Sequence, residues 1–351
     1  MHASRFAPVS EPSRRGVLAA GGSVGLGALL AACGGSSGSG SDAAAASSGG
    51  KDTKAGGPWS FTDDRKKTAK ADRIPANLVA YTGTAAALHD YGVECTGVFG
   101  PTTLKDGSPD PMAGDLDVKK LTVIGNAWGE FNIEKYAALN PGLLVSHMYQ
   151  APTLWFVPDD SSAKILALAP SVGINVAGVP LTTPLQRYAE LAASLGADMA
   201  AGTNAAQKAR FEKSSAALRA AVKAHPGITV MAGSASADSL YVSTPAAASD
   251  LRYYQSLGVD FIVPNQVKGG FFETLSWENA DKYQADIIML DNRTATLQPK
   301  DLTGKPTWTK LPAVKGGQVV GWPSEPIFSY AKCADRIDAL THAITSAKKL
   351  V

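Results

Sequence analysis

The chain has 351 residues, with 33 Lys and Arg against 31 Asp and Glu and a formal net charge of +2. Its body holds no Lys/Arg block, so it lacks the electrostatic footprint of a nucleic-acid partner. The three cysteines, Cys33, Cys95 and Cys333, have none of the close spacings of a zinc or iron–sulfur site.

Arg14 and Arg15 precede a nearly uncharged run from Gly16 to Ala32. That run is short for a permanent bilayer span, which takes ~20 apolar residues. A basic start, a short apolar middle and small residues at the cut mark an exported precursor. The run ends in Leu30-Ala31-Ala32-Cys33, a lipobox, so residues 1–32 are expected to be a lipoprotein signal peptide. Cys33 then carries the lipid, palmitate included, that anchors the protein on the outer face of the cytoplasmic membrane. Ser13-Arg14-Arg15-Gly16-Val17-Leu18 fits a twin-arginine export signal, and it fits the charged start of a Sec signal equally well. Residues 33–57, nearly all Gly, Ser, Ala, Lys and Asp, predict a flexible tether that cannot bury enough apolar surface to offset chain entropy.

From Pro58 onward the chain is long enough for two lobes. Short apolar runs predict strands at 78–81, 96–99, 121–124 and 143–146 in the first half. In the second half they fall at 228–232, 240–242, 261–263, 287–290 and 319–321. Helical stretches at 133–139, 163–168, 184–195 and 327–348 separate them. Ile-, Val- and Leu-rich strands alternating with helices predict α/β lobes with mainly parallel sheets, covered on both faces. The segment 203–224 has no Gly or Pro, places Phe211, Leu218 and Val222 at helical spacing and stops at His225-Pro226-Gly227. It predicts one long helix, ~30 Å at 1.5 Å per residue, joining a lobe at 58–202 to a lobe at 228–351. Such a strut predicts only small lobe movement. Cys95 and Cys333 either pair or stay as buried thiols.

Residues 132–145 align without gaps on 276–289. Each copy reads as an Asn or Ser N-cap, a glutamate in the first turn (Glu134, Glu278), a short helix, a turn and a buried strand.

An acylated N-terminus, two α/β lobes and one connecting helix resemble the periplasmic-binding-protein-like receptors of ABC importers. The chain looks most like the subclass for ferric siderophores, haem and cobalamin. The matching pieces are Thr62-Asp63-Asp64 with Arg73-Ile74-Pro75, Asn132-Ile133-Glu134 with Ala138-Leu139-Asn140-Pro141, and Leu168-Ala169-Pro170. Further along come Leu191 to Gly196, Ser276-Trp277-Glu278 and Trp308 to Lys315. The chain departs from relatives in a longer 105–117 insertion. The resemblance implies a monomeric receptor, not an enzyme, with no cofactor of its own. It also implies that Glu134 and Glu278 meet arginines on the importer's membrane subunits; a first-turn glutamate otherwise stabilises only its helix dipole.

In such sheets ligands bind beyond the carboxyl ends of the strands. That rule picks out Tyr81, Trp128, His147, Tyr149 and Trp155 from the first lobe. From the second it picks Tyr241, the 265–272 loop, Asn292, Arg293 and Trp322. In a chain only 7% aromatic this is an enrichment, and rigid rings suit a bulky organic chelate. Arg293 suits the oxygen shell of a hydroxamate or carboxylate. The expected ligand is therefore a Fe3+-siderophore, hydroxamate type favoured. The alternative is haem or cobalamin, with His147 as an axial ligand. A bare metal ion would need several converging His, Asp or Glu, and only His147 falls at a suitable mouth. A hydrolase has little support: the formal GxSxG match, Gly34 to Gly38, sits in the tether without strand–turn–helix context.

Overall fold

The computed structural model describes residues 57–351, which lie within one compact unit, Lys54–Val351. The expected signal peptide, Cys33 and all of the expected tether but Gly57 lie outside the described residues.

The N-terminal lobe opens with a hairpin, β1 (Trp59–Thr62) and β2 (Thr68–Ala71). There follow β3 (Leu78–Tyr81), α1 (Thr82–Asp90), β4 (Gly97–Phe99), β5 (Thr122–Gly125), α2 (Ile133–Ala138), β6 (Leu143–Met148), α3 (Ser162–Leu166) and β7 (Ser171–Asn175). The five strands pair in the order β5-β4-β3-β6-β7, all parallel. Every residue of β3 and β6 is buried, as the continuous apolar runs require of strands covered on both faces. Then α4 (Thr182–Ser194) and α5 (Gly202–Ala224) lead across to the second lobe.

The C-terminal lobe contains β8 (Thr229–Ala235), β9 (Ser239–Ser243), α6 (Ser249–Ser256), β10 (Asp260–Phe261), β11 (Phe272–Ser276), β12 (Ile287–Asp291), α7 (Pro306–Lys310), α8 (Pro312–Lys315), β13 (Val319–Trp322) and α9 (Tyr330–Ser346). Its sheet runs β11-β9-β8-β12-β13, with β10 beside the start of β8. Here β8, β12 and β13 are parallel, and β9 and β11 add an antiparallel edge.

The sequence pattern predicts no strand for the hairpin, β7 or β11. Their apolar runs are short and polar-interrupted, and tertiary contacts hold them instead. Buried Asp63 accepts from the backbone N–H of Arg65, Lys67 and Gly173, fixing the hairpin to β7. The strand expected at 261–263 shortens to β10, and Val263 is exposed.

The long helix forms with 23 residues. Ala201 stands at the N-cap, while Asn204 is buried and donates to the backbone carbonyls of Asp198 and Tyr91. Phe211, Leu218 and Ala221 of α5 belong to one apolar core that also takes in Leu78 and Val145 of the first lobe, Val230 and Met289 of the second, and Ile337 and Leu340 of α9. A single core through both lobes resists hinge motion, since packed interiors transmit strain rather than yield. A second crossing joins the backbones: Gly178 N–H donates to Ala247 O and Leu181 N–H to Ser249 O. Cys95 and Cys333 are both free and buried. Burial pushes the Cys95 thiol up to about 12, as expected of an inert thiol.

Candidate ligand-binding cleft

The carboxyl ends of β3, β6, β12 and β13 deliver Tyr81, Tyr149, Arg293 and Glu325 to one place. The last of these rests in Pro323-Ser324-Glu325-Pro326, just past β13. Glu325 is 7% exposed and takes hydrogen bonds from both lobes. Tyr81 Oη and Trp155 Nε1 each donate to Oε2 at 3.0 Å, and Arg293 Nη1 pairs with Oε1. On its other edge Arg293 pairs with Asp291 through Nη2 (2.8 Å) and Nε (3.0 Å). Asp291 is fully buried and also accepts from Ser234 Oγ (2.8 Å) and Ser324 Oγ (3.0 Å). Burial opposes the charge of Arg293, but Glu325 and Asp291 outweigh it and hold the guanidinium well above its ordinary pKa. Burial first and Glu325 second raise the Tyr81 pKa, so that phenol remains a neutral donor. The Arg293 side chain keeps about a third of its surface open (32%), leaving an edge of N–H groups available.

The facing wall is aromatic. Trp128 is 60% exposed and sits edge-on to Trp155 (4.8 Å) and Phe156 (5.0 Å). Trp155 meets Tyr149 at 4.9 Å, and Tyr149 meets Phe271 of the second lobe at 6.4 Å. These separations are those of edge-to-face aromatic pairs. The rings thus form one continuous floor from Trp128 to Phe271 beside the charged group. Phe156 has φ +61, and this left-handed turn between Trp155 and Val157 places the two rings side by side.

The 105–117 insertion contributes to the same cleft. Asp110 caps a short 3-10 turn, Pro111–Ala113, and accepts from Thr294 Oγ1 across the lobes at 2.7 Å. Next to it, Asp110, Met112, Arg293, Glu325, Ile327 and Arg336 line a cavity of about 50 Å³. That is room for a few waters, not for a chelate.

The expected residues divide accordingly. Trp128, Tyr149, Trp155 and Arg293 come together with open surface. Tyr81 is completely buried; it lies beneath the floor and holds Glu325. Trp322, expected at the cleft, is 3% exposed, and its Nε1 donates to buried Asp250 at 2.7 Å, so it offers no ring face to a ligand. Tyr241 packs on Phe272 at 5.0 Å and its hydroxyl meets Ser236, apart from the aromatic floor. His147 is enclosed by Tyr81, Tyr149 and Phe328, and burial lowers its pKa to about 3. The axial-ligand role expected of it fails on access: at 1% exposure no haem iron can approach it. Among the described residues no three His, Cys, Asp or Glu side chains converge as a bare-metal site.

Sequence reasoning missed Glu325, Asp291, Asp110 and Phe156. For Glu325 a signal was present, an acid between two prolines just beyond a strand's carboxyl end.

Glu134 and Glu278 are both exposed. Glu134 stands in the first turn of α2, capped by Asn132, whose Oδ1 accepts from Lys135 N–H at 2.8 Å. The second copy holds only one 3-10 turn, Trp277–Asn279, where a short helix was expected. Its own backbone N–H and the Ser276 hydroxyl hold the Glu278 carboxyl below the usual range.

A family model described as "Periplasmic binding protein" matches residues 79–326. The chain is similar to the solved structure of DesE, a ferric-siderophore receptor protein from Streptomyces coelicolor. Identity is 56% and the TM-score 0.81, covering 84% of this chain and 100% of that one. Petrobactin-binding YclQ from Bacillus subtilis shares the fold at 16% identity and a TM-score of 0.61, over 82% of this chain and 98% of its own. Staphylococcus aureus SirA, solved with staphyloferrin B, does so at 16% and 0.57, over 82% and 99%. No curated protein matches the chain. Two α/β lobes with a continuous core agree with these likenesses, and the chain belongs to the periplasmic binding protein family.

Proposed function

We propose that this protein is a lipid-anchored extracytoplasmic receptor that binds a ferric siderophore, hydroxamate type favoured, and delivers it to an ABC importer. The observation that carries the reading is the aromatic floor of Trp128, Trp155, Tyr149 and Phe271 set beside the open edge of Arg293. The 56% identity to a ferric-siderophore receptor supports it. The rings supply rigid apolar area to the organic arms of the chelate, and Arg293 donates to its oxygens. Tyr81 and Trp322 act from beneath as supports, and Tyr241 shapes the second lobe's edge. No bond is made or broken, so the protein works as a carrier rather than an enzyme.

Residues 1–32 serve as the signal peptide, Cys33 as the lipidated anchor and residues 33–57 as the tether. The lobes at 58–202 and 228–351 turn little about the 203–224 helix, and the receptor acts as a monomer. Glu134 and Glu278, one exposed acid per lobe, dock on the importer's membrane subunits. The test is a tryptophan-fluorescence titration of the chain begun after Cys33, against ferric hydroxamates, ferric catecholates, haem and cobalamin. Submicromolar quenching by one ferric chelate and none by its iron-free form is the expected result. Binding of haem or cobalamin alone would keep the fold and replace the ligand.

A further inference from the structure

The charges at the cleft do not balance. Asp291 and Glu325 both press on a single guanidinium, Arg293. Asp110 adds a third carboxyl beside Thr294. Arg336 lines the adjoining cavity, whereas Lys332 is paired with Asp115 at 2.7 Å. Counting Arg336, three carboxyls meet two guanidiniums, and Arg293, the guanidinium beside the aromatic floor among the described residues, is already held by two acids. We infer that Glu325 sets the charge class of the ligand, reserving the cleft for ferric chelates that are neutral or positively charged and turning away polyanionic ones. This inference rests on the siderophore-receptor reading.

The physical reason lies in what an approaching anion would meet. To reach the open edge of Arg293 it must come up against Glu325, backed by buried Asp291, where acids still outnumber guanidiniums after Arg336 of the adjoining cavity is counted. Aromatic walls lower the local dielectric and strengthen that repulsion. Three hydroxamates neutralise ferric iron, whereas three catecholates leave an excess of negative charge on the complex. A neutral trihydroxamate uses the rings and the remaining Arg293 N–H groups without opposition, and a pendant ammonium gains from the surplus acid. Discrimination by a built-in repulsive group is a general route to specificity. Glu325 also ties Tyr81 and Trp155 to Arg293, so it has a structural role. The charge role is separable because only it depends on the sign of the ligand.

The experiment uses one chelate skeleton in three charge states. A linear ferric trihydroxamate with a terminal ammonium is compared with its acetylated, neutral form and its succinylated, anionic form, and a ferric tricatecholate extends the series. Wild-type affinity should fall from cation to anion by about tenfold or more, one decade being about 1.4 kcal/mol. The spread should shrink toward 1 M salt, where the Debye length is about 3 Å. In Glu325→Gln the order of affinities should flatten or reverse, and Glu325→Asp should restore it. If wild type binds all charge states alike, or Glu325→Gln keeps the order, the charge inference fails while the receptor reading stands. If no ferric chelate binds wild type, both fail. The salt series on wild type decides the matter even if the variants do not fold.

Discussion

On the N-terminal side the cleft is faced by Trp128, Tyr149, Trp155 and Phe156, which touch ring to ring and carry no charge. On the C-terminal side it is faced by Arg293, held from behind by Glu325 and by buried Asp291, which are fixed by ion pairs and hydroxyl donors. The first wall contributes area, and area tolerates changes of shape because dispersion and apolar burial have little directionality. The second contributes sign and direction, and it is exacting because a buried charge without its partner is costly. On the proposed reading, affinity rests mainly on the rings of the first lobe, extended by Phe271, and selectivity mainly on the charges of the second. Glu325 joins them directly, since its Oε2 is held by the first lobe and its Oε1 by Arg293.

The sharpest way to break this contrast is Arg293→Ala. It strands Asp291, fully buried, beside Glu325 with no cation between them. A loss of about 3 to 5 kcal/mol of stability is expected, read by urea unfolding, together with loss of ligand binding. A variant that unfolds with the wild-type midpoint would show that the ion group is not structural.

The next effect lies under the charged wall. Burial pushes the Asp250 carboxyl up to about 6 from an ordinary 3.8, against the lowering hydrogen bond from Trp322. Between these values the folded chain keeps a proton that the unfolded chain has released. Stability therefore falls as pH rises from about 4 to about 6 and levels off above. The drop is on the order of 1.4 kcal/mol per pH unit over that window. Asp250→Asn should remove the slope, so unfolding free energies at about pH 4 and pH 7 for the two proteins settle it. Parallel pH curves would mean that Asp250 is ionised throughout.

On the aromatic wall the expected pattern is the reverse. Trp128→Ala removes an exposed ring that packs edge-on to Trp155 and Phe156. It should cost less than about 1 kcal/mol of stability but about 1 to 2 kcal/mol of ligand affinity, as expected for an aromatic anchor. Calorimetric titration with the ferric chelate checks this, and unchanged affinity would place the ligand elsewhere. The smallest effect on the isolated protein is expected for Glu134→Gln with Glu278→Gln. Both acids are exposed, so stability should move by less than about 0.5 kcal/mol and ligand affinity not at all. Iron uptake by cells carrying the pair should nevertheless fall, and full uptake would remove these residues from the importer contact.

Much of the architecture was legible in the sequence because buried parallel strands and long helices write their periodicity into the chain. The apolar runs 78–81, 143–145 and 287–290 mark β3, β6 and β12, and α5 is free of Gly and Pro beyond Gly202. The rule that ligands gather at strand carboxyl ends brought Trp128, Tyr149, Trp155 and Arg293 into view for the same reason. It could not separate them from Trp322 and Tyr81, since burial depends on what packs over a ring. Asp250 and α6 cover the first; Glu325 and the rings of Phe156 and His147 cover the second. Nor could it find Glu325. That carboxylate has meaning only through Tyr81, Trp155 and Arg293, which stand 244, 170 and 32 positions away along the chain. The sequence by itself determined the two lobes, the helix between them and the aromatic character of the cleft, all consequences of local periodicity and composition. Tertiary structure alone decided which rings stay open and which acids face Arg293, because burial and charge pairing arise between residues that are far apart until the chain has folded.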